Sequence, residues 1–232
     1  MRLWSSLPAD RLFLEFSLWS ANLTRLADDV RRTEPHADVY HIDVADAHFV
    51  PGLLFFPDLV AALRPLTRVP FHVHLMADRP ARLIDDFARA GANAMTVHLE
   101  LGDAVPALLR QIRGHGLSVG LAVQVETPIE SVAPYLDTVD ALVLMGTRLG
   151  IKGIDLAPQA PARLRAARDL LTKTGYADRI RLIADGGIRS HTVPTLYAAG
   201  ADGIVPGSLV FKSADLTETV DWLHHLNRKG DA

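Results

Sequence analysis

Two histidines and two aspartates lie close together in the segment 40–51, YHIDVADAHFVP. The first part of this segment alternates like a buried strand, and side chains two residues apart in a strand point to the same face. His41 and Asp43 therefore share a face, and inside a closed barrel they would form part of a metal site or an acid/base site. The alternative is structural: His41 and His48 could be hydrogen-bonded core histidines, and Asp46 could cap a helix.

The elements that would position these residues alternate between strand and helix. Eight strands are predicted, at 12–18, 39–44, 70–75, 94–98, 117–122, 139–144, 180–184 and 202–205. The predicted helices run from a cap at Ser20 or Asn22 to 32, and over 57–63, 82–90, 103–113, 128–135, 159–173, 191–199 and 216–227. This alternation implies parallel strands, and eight units indicate a single-domain (β/α)₈ barrel over residues 1–232. A doubly wound open sheet is the alternative, because periodicity does not show closure.

An internal similarity supports the count of eight units. The segments 89–98, RAGANAMTVH, and 198–207, AAGADGIVPG, each contain a helix-ending glycine followed by Ala, by Asn or Asp, and by a strand. The two segments lie four strand–helix units apart, as similar units of one barrel would.

Composition favours a small-molecule partner. The net charge is -3 and the basic residues are scattered along the chain, so we expect no nucleic-acid partner. No apolar run reaches the ~18–20 residues of a membrane span, and Glu15 interrupts the N-terminal run LFLEFSL, so we expect no membrane partner. The absence of cysteine leaves histidine and carboxylate as metal ligands and is compatible with a reducing cytosol. We expect a cytoplasmic protein that forms a homo-oligomer.

In a parallel barrel, the C-terminal ends of the strands and the loops after them form the active face. Two imidazoles and two carboxylates are predicted to converge on this face. This set of ligands suits one divalent cation, such as Zn²⁺, Mn²⁺, Fe²⁺ or Co²⁺, and the sequence does not identify which of them binds. On this face Ser17 ends the first strand, His41 and Asp43 end the second, His74 ends the third, and Asp185 follows the seventh.

Glycine-bearing turns follow the seventh and eighth strands, where such barrels commonly bind phosphate. The segments 185–187, DGG, and 206–208, PGS, place small residues where backbone N–H groups could approach an anion. The glycines could equally only form tight turns. The loop 146–157, with Arg148 and Lys152 among its glycines, could close over a phosphate or be a solvated basic loop.

Taken in order, these segments resemble the ribulose-phosphate 3-epimerase family. The resemblance is carried by LEFSLWSANLTRL, VYHIDVADAHFVPGLLF, FHVHLMADRP, AGANAMTVHLE, LIADGGI and AAGADGIVPGSLVF, over about residues 12–212. The most specific motifs are HxDVxDxHFVP and HLM, together with DGG. The resemblance implies a (β/α)₈ barrel enzyme, an isomerase that inverts the carbon beside the ketone of a ketose phosphate through an enediolate.

The resemblance also implies roles for single residues. One catalytic divalent metal would be held by His41, Asp43, His74 and Asp185, and the catalytic acid/base pair would be Asp43 and Asp185. Met76 and Met145 match methionines of an apolar lid over the reacting carbons, and the two glycine turns match the phosphate site. With Lys152 as an added cation, the candidate substrate-binding residues are Ser17, His74, Met76, Met145, Lys152, Gly186, Gly187, Gly207 and Ser208.

Three departures from the family pattern concern the substrate. Ala45 replaces a lid methionine, Gly52 replaces a usual Asn, and the NPGFGGQ-like loop of the family becomes TRLGIKGI at 147–154. Because the metal and base positions are intact, we predict epimerisation of a ketose phosphate other than D-ribulose 5-phosphate. Four- to six-carbon sugars such as allulose 6-phosphate or a tetrulose phosphate are the first candidates, and an ordinary ribulose-phosphate epimerase is the alternative.

Other activities on such a barrel remain open. An aldose–ketose isomerase is one, and a phosphosugar decarboxylase or a Schiff-base aldolase is another. Decarboxylases of the related barrel group use a lysine beside aspartates on the strands, and a Schiff-base aldolase also needs a lysine in its site. Here Lys152, Lys173, Lys212 and Lys229 are predicted in loops or helices. A catalytically silent sugar-phosphate-binding barrel would be expected to have lost one of the four ligands, and all four are present.

Overall fold

Eight parallel strands close into a barrel in the computed structural model of the chain, which describes residues 2–226. Each strand pairs with the next along the chain, and the first pairs with both the second and the eighth, which closes the sheet. The predicted (β/α)₈ fold is therefore confirmed, and the open-sheet alternative is wrong. The strands are β1 (Phe13–Ser17), β2 (Val39–Asp46), β3 (Phe71–Met76), β4 (Ala94–His98), β5 (Ser118–Val123), β6 (Ala141–Met145), β7 (Arg181–Asp185) and β8 (Gly203–Val205).

Helices surround the barrel at most of the predicted places. They are α1 (Leu26–Thr33), α2 (Pro57–Leu63), α3 (Ala81–Arg89), α4 (Val105–Gly114), α5 (Ala160–Thr174), α6 (Val193–Ala198), α7 (Ser208–Phe211) and α8 (Leu216–His224). The short helix α7 was not predicted, and residue 227, the predicted end of the last helix, lies outside the described residues. The predicted cap Asn22 does accept a backbone hydrogen bond from Thr24, but it caps a 3₁₀ turn that precedes α1.

Two local predictions were wrong for identifiable reasons. The helix predicted at 128–135 is a 3₁₀ helix, Ile129–Tyr135, with Pro134 inside it. Proline lacks the N–H that an α-helix needs and clashes with the carbonyl four residues before it, which explains the change. The predicted loop 45–57 contains a two-residue strand, Leu53–Leu54, which pairs antiparallel with the end of β2. The strand β2 therefore runs two residues beyond its predicted end.

A repeated hydrogen bond joins the strands in pairs at the N-terminal end of the barrel. The residue before each even-numbered strand accepts a hydrogen bond, through its side chain, from a backbone N–H of the preceding odd-numbered strand. The four pairs are Asp38 with Leu14, Asn93 with Phe71, Asp140 with Val119 and Asp202 with Leu182, with donor–acceptor distances of 2.8–2.9 Å.

This repeat explains the internal similarity seen in the sequence. Asn93 and Asp202, the polar residues of the two similar segments, occupy equivalent positions and make equivalent bonds. Three of the four caps also form ion pairs with arginine, and the Asp140 carboxylate lies 2.7 Å from Arg2 and 2.8 Å from Arg113. Because these caps lie at the end of the barrel away from the predicted active face, their role is stability.

The outer surface has an apolar groove beside the short strand. Leu53 is 78% exposed and Phe56 is 58% exposed, and Leu53, Leu54 and Phe56 line the groove. Among residues 2–226, no helix is long and apolar enough to cross a lipid bilayer. The expected homo-oligomer stays a prediction, and these exposed side chains are candidates for burial in it.

We expect Asp140→Ala to lower the free energy of unfolding by about 2–4 kcal/mol, because a buried N–H and two guanidinium groups lose their acceptor. Urea unfolding followed by circular dichroism measures the change. Asp103→Ala, which removes an exposed carboxylate, is the matched control and should stay within about 0.5 kcal/mol of the unsubstituted chain. Equal losses in the two variants would contradict the role assigned to the caps.

Candidate metal and active site

The four predicted metal ligands converge at the C-terminal end of the barrel. One ligand atom from each of them lies within 4.8 Å of the others. His41 and Asp43 are on β2, His74 is on β3, and Asp185 is the last residue of β7. Strand alternation turns these side chains inward, and closure of the sheet brings β7 next to the mouth formed by β2 and β3. We call these four residues the acceptor cluster.

The distances in the acceptor cluster suit a bound cation. His41 Nε2 lies 3.3 Å from His74 Nδ1, 3.5 Å from Asp43 Oδ1 and 3.7 Å from Asp185 Oδ2. His74 Nδ1 lies 3.5 Å from each of the same two carboxylate oxygens. Four ligands at about 2.0–2.2 Å around a tetrahedral ion lie roughly 3.3–3.6 Å from one another. The observed separations fall near this range, so the residues fit a divalent cation.

The electrostatics of the acceptor cluster also favour positive charge at its centre. Burial disfavours protonation of His41, but Asp43, Glu15 and Asp185 outweigh it and raise the His41 pKa well above its usual range. Burial likewise opposes protonation of His74, and the two aspartates raise its pKa. Burial works against the ionised form of Asp43, yet the two imidazoles lower its pKa. Carboxylates facing imidazole nitrogens in a buried site need either protons or a metal cation between them.

His74 is held by a chain of hydrogen bonds that was not predicted from the sequence. His74 Nε2 lies 2.8 Å from His98 Nε2, and His98 Nδ1 lies 3.2 Å from Glu100 Oε2. Because a carboxylate only accepts, His98 donates through Nδ1 and accepts from His74 Nε2, which leaves the lone pair of His74 Nδ1 for the acceptor cluster. Burial lowers the pKa of His98 to about 4, in keeping with this neutral form. His98 ends β4, so the rule of strand ends would have found it.

Glu15 lies beneath the acceptor cluster and was read in the sequence only as an interruption of an apolar run. Its Oε2 atom lies 2.9 Å from His41 Nδ1 and 2.6 Å from His72 Nδ1, and its Oε1 atom accepts from Trp4 Nε1 at 2.8 Å. All four side chains are fully buried. The signal was present, because Glu15 lies two residues before Ser17 and therefore faces the same barrel interior.

A cavity of about 370 Å³ opens above the acceptor cluster. Every predicted substrate-binding residue except His74, which lies buried below, lines this cavity. Ser17 donates a hydrogen bond from Oγ to Asp43 Oδ2 at 2.7 Å, so it holds one of the predicted acid/base residues in place. Met76 and Met145 form apolar wall next to the carboxylates. The cavity also contains four cationic side chains, those of Arg148, Lys152, Arg189 and Lys212.

The loop 146–157 lies across the mouth of this cavity. Lys152 Nζ donates to the backbone carbonyl of Trp19 at 2.5 Å and lies 4.9 Å from the centre of the Trp19 ring. Leu149 packs against the small cluster that contains Ala45 and Met76. Gly150 passes so close to Val50 that a Cβ atom there would lie 2.7 Å from Val50 Cβ. The loop is therefore anchored to the loops after β1 and β2, and Lys152 contacts protein as well as lining the cavity.

The glycine turns have a packing role. Gly186 and Gly187 have φ angles of +91° and +70°, which side chains other than glycine rarely adopt. A Cβ atom at position 186 would collide with Thr147, and one at position 187 would lie 2.7 Å from Leu156 Cα. The turn therefore requires glycine at both positions, and the contact of these glycines with a phosphate stays a prediction.

The segment 40–51 could also have had a purely structural role, with His41 and His48 as core histidines and Asp46 as a helix cap. This alternative is wrong for Asp46 and for His48. Asp46 caps a loop instead of a helix: its carboxylate accepts from the backbone N–H of His48, Phe49 and Asp78. His48 is exposed, so it is not a core histidine. His41 is buried and hydrogen-bonded as that alternative required, but its second ring nitrogen faces the acceptor cluster.

The sequence of this chain is similar to that of known proteins. The sequence pattern of the ribulose-phosphate 3 epimerase family matches residues 13–211. A ribulose-phosphate 3-epimerase of Treponema pallidum (strain Nichols) is 38% identical over 84% of this chain and 89% of its own length. That of Escherichia coli (strain K12) is 35% identical over 88% and 91%, and that of Synechocystis sp. is 33% identical over 91% and 93%.

Among solved structures, orotidine 5'-phosphate decarboxylase from Pyrococcus horikoshii OT3 matches with a TM-score of 0.65. It covers 91% of this chain and 97% of its own, at 16% sequence identity, and this likeness shows the fold alone. The family pattern spans nearly the whole barrel, and the curated relatives cover it at well over 30% identity. The chain therefore belongs to the ribulose-phosphate 3-epimerase family.

Proposed function

We propose that this chain is a metal-dependent ketose-phosphate epimerase that inverts the carbon beside the ketone. The family is one of carbohydrate epimerases, so the chain is an isomerase. The observation that carries the rest of the proposal is the acceptor cluster beneath the cavity, in which two carboxylates and two imidazoles converge. This arrangement supports a metal site and an acid/base pair in the same place.

The reaction requires a proton to leave one face of a carbon and a proton to return to the other. Removing the first proton places negative charge on the enediolate of the substrate. A divalent cation held by His41, Asp43, His74 and Asp185 would supply a Lewis acid that stabilises this charge. The four ligands do not distinguish among the candidate metals Zn²⁺, Mn²⁺, Fe²⁺ and Co²⁺.

Asp43 and Asp185 are the groups placed to move the protons. They lie on β2 and β7, with β8 and β1 between them on one side of the barrel and four strands on the other. One carboxylate takes the proton from the substrate carbon, and the other, as the acid, gives a proton to the opposite face. The Ser17 hydroxyl holds Asp43 Oδ2 in position. Met76 and Met145, both nearly buried, exclude water from the reacting carbons.

The phosphate of the substrate would bind at the far side of the cavity. The loops after β7 and β8, with Gly186, Gly187, Gly207 and Ser208, line it there, and barrels of this kind commonly bind phosphate at these loops. The cationic side chains of the cavity add attraction for a dianion. Burial lowers the pKa of Lys152, and Asp43 counteracts this effect.

The other activities have less support in the structure. Lys152 and Lys212 line the cavity, but neither is on a strand, and the Lys152 ammonium is held by the Trp19 carbonyl. A Schiff-base aldolase needs a lysine at the reacting carbon, and decarboxylases of the related barrel group use a strand lysine beside aspartates. Lys229 lies outside the described residues. The convergence of all four ligands also disfavours a silent binding barrel.

Two observations bear on the size of the sugar. The relatives described above are named ribulose-phosphate 3-epimerase, which favours D-ribulose 5-phosphate. The rewritten loop and Ala45 predicted another sugar, but Leu149 packs against the cluster around Ala45 and fills part of that space. We therefore take D-ribulose 5-phosphate as the first substrate, and other four- to six-carbon ketose phosphates as the second possibility.

Reconstituted protein should hold about one divalent cation per chain, and His41→Ala and His74→Ala should each lose it, because each removes one of four ligands. Elemental analysis after gel filtration measures the content. His115→Ala, which removes an exposed histidine, is the control and should keep the metal. A reconstituted wild type without stoichiometric metal would show that the proposed site is wrong.

Asp43→Asn and Asp185→Asn should each lower kcat by at least ~10², because each removes a proton carrier. Metal content is measured in the same samples, so that loss of the ligand is separated from loss of the base. In D₂O the wild type should place deuterium on the inverted carbon, which NMR of the product detects. An epimerised product without deuterium would rule out proton transfer by these carboxylates.

Lys152→Ala should raise KM for the preferred ketose phosphate about tenfold, the lower end for a charge-assisted bond because the side chain is exposed. The comparison uses kcat/KM over ketotetrose, ketopentose and ketohexose phosphates, with Lys173→Ala on α5 as control. Best turnover of D-ribulose 5-phosphate would support the first substrate, and best turnover of another sugar would support the second. An unchanged KM in Lys152→Ala would exclude a role for this cation.

A further inference from the structure

We propose that Glu15 is a positioning residue for the acceptor cluster: it fixes His41 in the tautomer that carries the proton on Nδ1, so that the Nε2 lone pair is presented to the metal. The inference rests on the proposed metal site. The sequence patterns discussed above assign no role to Glu15, and it does not touch the cavity. Its effect would act through His41.

The first argument is the direct contact. Glu15 Oε2 lies 2.9 Å from His41 Nδ1, and the opposite ring nitrogen, Nε2, lies 3.3–3.7 Å from the other members of the acceptor cluster. A carboxylate can only accept, so His41 must donate from Nδ1. A neutral imidazole with its proton on Nδ1 has its lone pair on Nε2, which is the atom aimed at the cluster. A carboxylate in this position also makes the imidazole a stronger ligand.

The second argument comes from counting donors around Glu15. Trp4 Nε1 can only donate, and it bonds to Oε1 at 2.8 Å. His41 and His72 both approach Oε2 through Nδ1. One ionised carboxylate can accept all three hydrogen bonds, whereas a glutamine would have a single acceptor oxygen and an NH₂ group that faces donors. The charge on Glu15 is therefore what allows all three neighbours to donate at once.

His72 can adapt to a change at Glu15, whereas His41 cannot without losing its function. His72 Nε2 lies 2.7 Å from Thr96 Oγ1, a hydroxyl that can either donate or accept. Either tautomer of His72 therefore keeps a partner on the side of Thr96. A proton on His41 Nε2 would instead occupy the lone pair that the metal requires.

A second cation is the competing interpretation of this layer, since Glu15, His41 and His72 also offer three ligand atoms within 4.8 Å of one another. The oxygen-to-nitrogen distances of 2.6 and 2.9 Å are those of hydrogen bonds. They are shorter than the roughly 3.3–3.6 Å expected between ligands of a tetrahedral ion. The layer below the acceptor cluster is therefore its hydrogen-bonded support.

The test compares wild type, Glu15→Gln and Trp4→Phe. Nitrogen-15 NMR of metal-free protein, at a pH above the raised His41 pKa where the ring is neutral, reports which nitrogen of His41 carries the proton. Competition with a chelator gives the dissociation constant for Zn²⁺. We expect Nδ1–H in wild type and Trp4→Phe, a mixed or reversed tautomer in Glu15→Gln, and Zn²⁺ binding weakened about 10- to 100-fold in Glu15→Gln. Trp4→Phe removes a partner of Glu15 but not its bond to His41, so its affinity should stay within about twofold. Saturating Zn²⁺ should restore most of kcat to Glu15→Gln.

The outcomes separate the inference from the proposed function. A proton on Nε2 of the neutral His41 ring in wild type would overturn the inference, even if Glu15→Gln fails to fold. Unchanged Zn²⁺ affinity and an unchanged tautomer in Glu15→Gln would overturn it as well. An equal loss of affinity in Trp4→Phe would assign the effect to general disruption of the layer. Wild type that binds no Zn²⁺ would instead overturn the proposed metal site.

Discussion

Four hydrogen-bond acceptor groups converge in one buried site, and the chemistry proposed for this barrel depends on how their charge is balanced. Two carboxylates and two imidazole nitrogens within 4.8 Å of one another, nearly shielded from water, cannot remain satisfied by one another alone. Protons or a divalent cation must balance them. In the proposed reaction, a cation held by these groups would stabilise the negative charge of the enediolate that forms beside it.

The fold brings the four residues together without local backbone strain. Each ligand is an inward-facing residue on a regular strand, and no unusual backbone is needed at His41, Asp43, His74 or Asp185. Precision comes from the layer behind the ligands. Glu100 is connected to His74 through His98, and Glu15 contacts His41 directly. Both imidazoles thus have a carboxylate behind them, and both present a free nitrogen to the same point. We infer that the side-chain caps at the opposite end of the barrel contribute to the stability of the fold.

The sequence allowed the barrel and the acceptor cluster to be predicted because both follow from short-range regularities. Strand alternation places His41 beside Asp43, and parallel strands bring their C-terminal ends to one face. The missed features depend on contacts between distant segments. Glu15 interrupts an apolar run, and only the closed barrel shows that His41, His72 and Trp4 surround it. The packing of Leu149 near Ala45 could not be read from residues a hundred positions apart. Pro134, in contrast, was a local signal that was overlooked.

X-ray absorption spectroscopy of the zinc-loaded protein tests the central claim most directly, because it reports the atoms bound to the metal. We expect a shell of nitrogen and oxygen at about 2.0–2.1 Å, with the outer-shell scattering of two imidazoles. A shell without imidazole scattering, or with the scattering of only one imidazole, would place the metal elsewhere and contradict the proposed site.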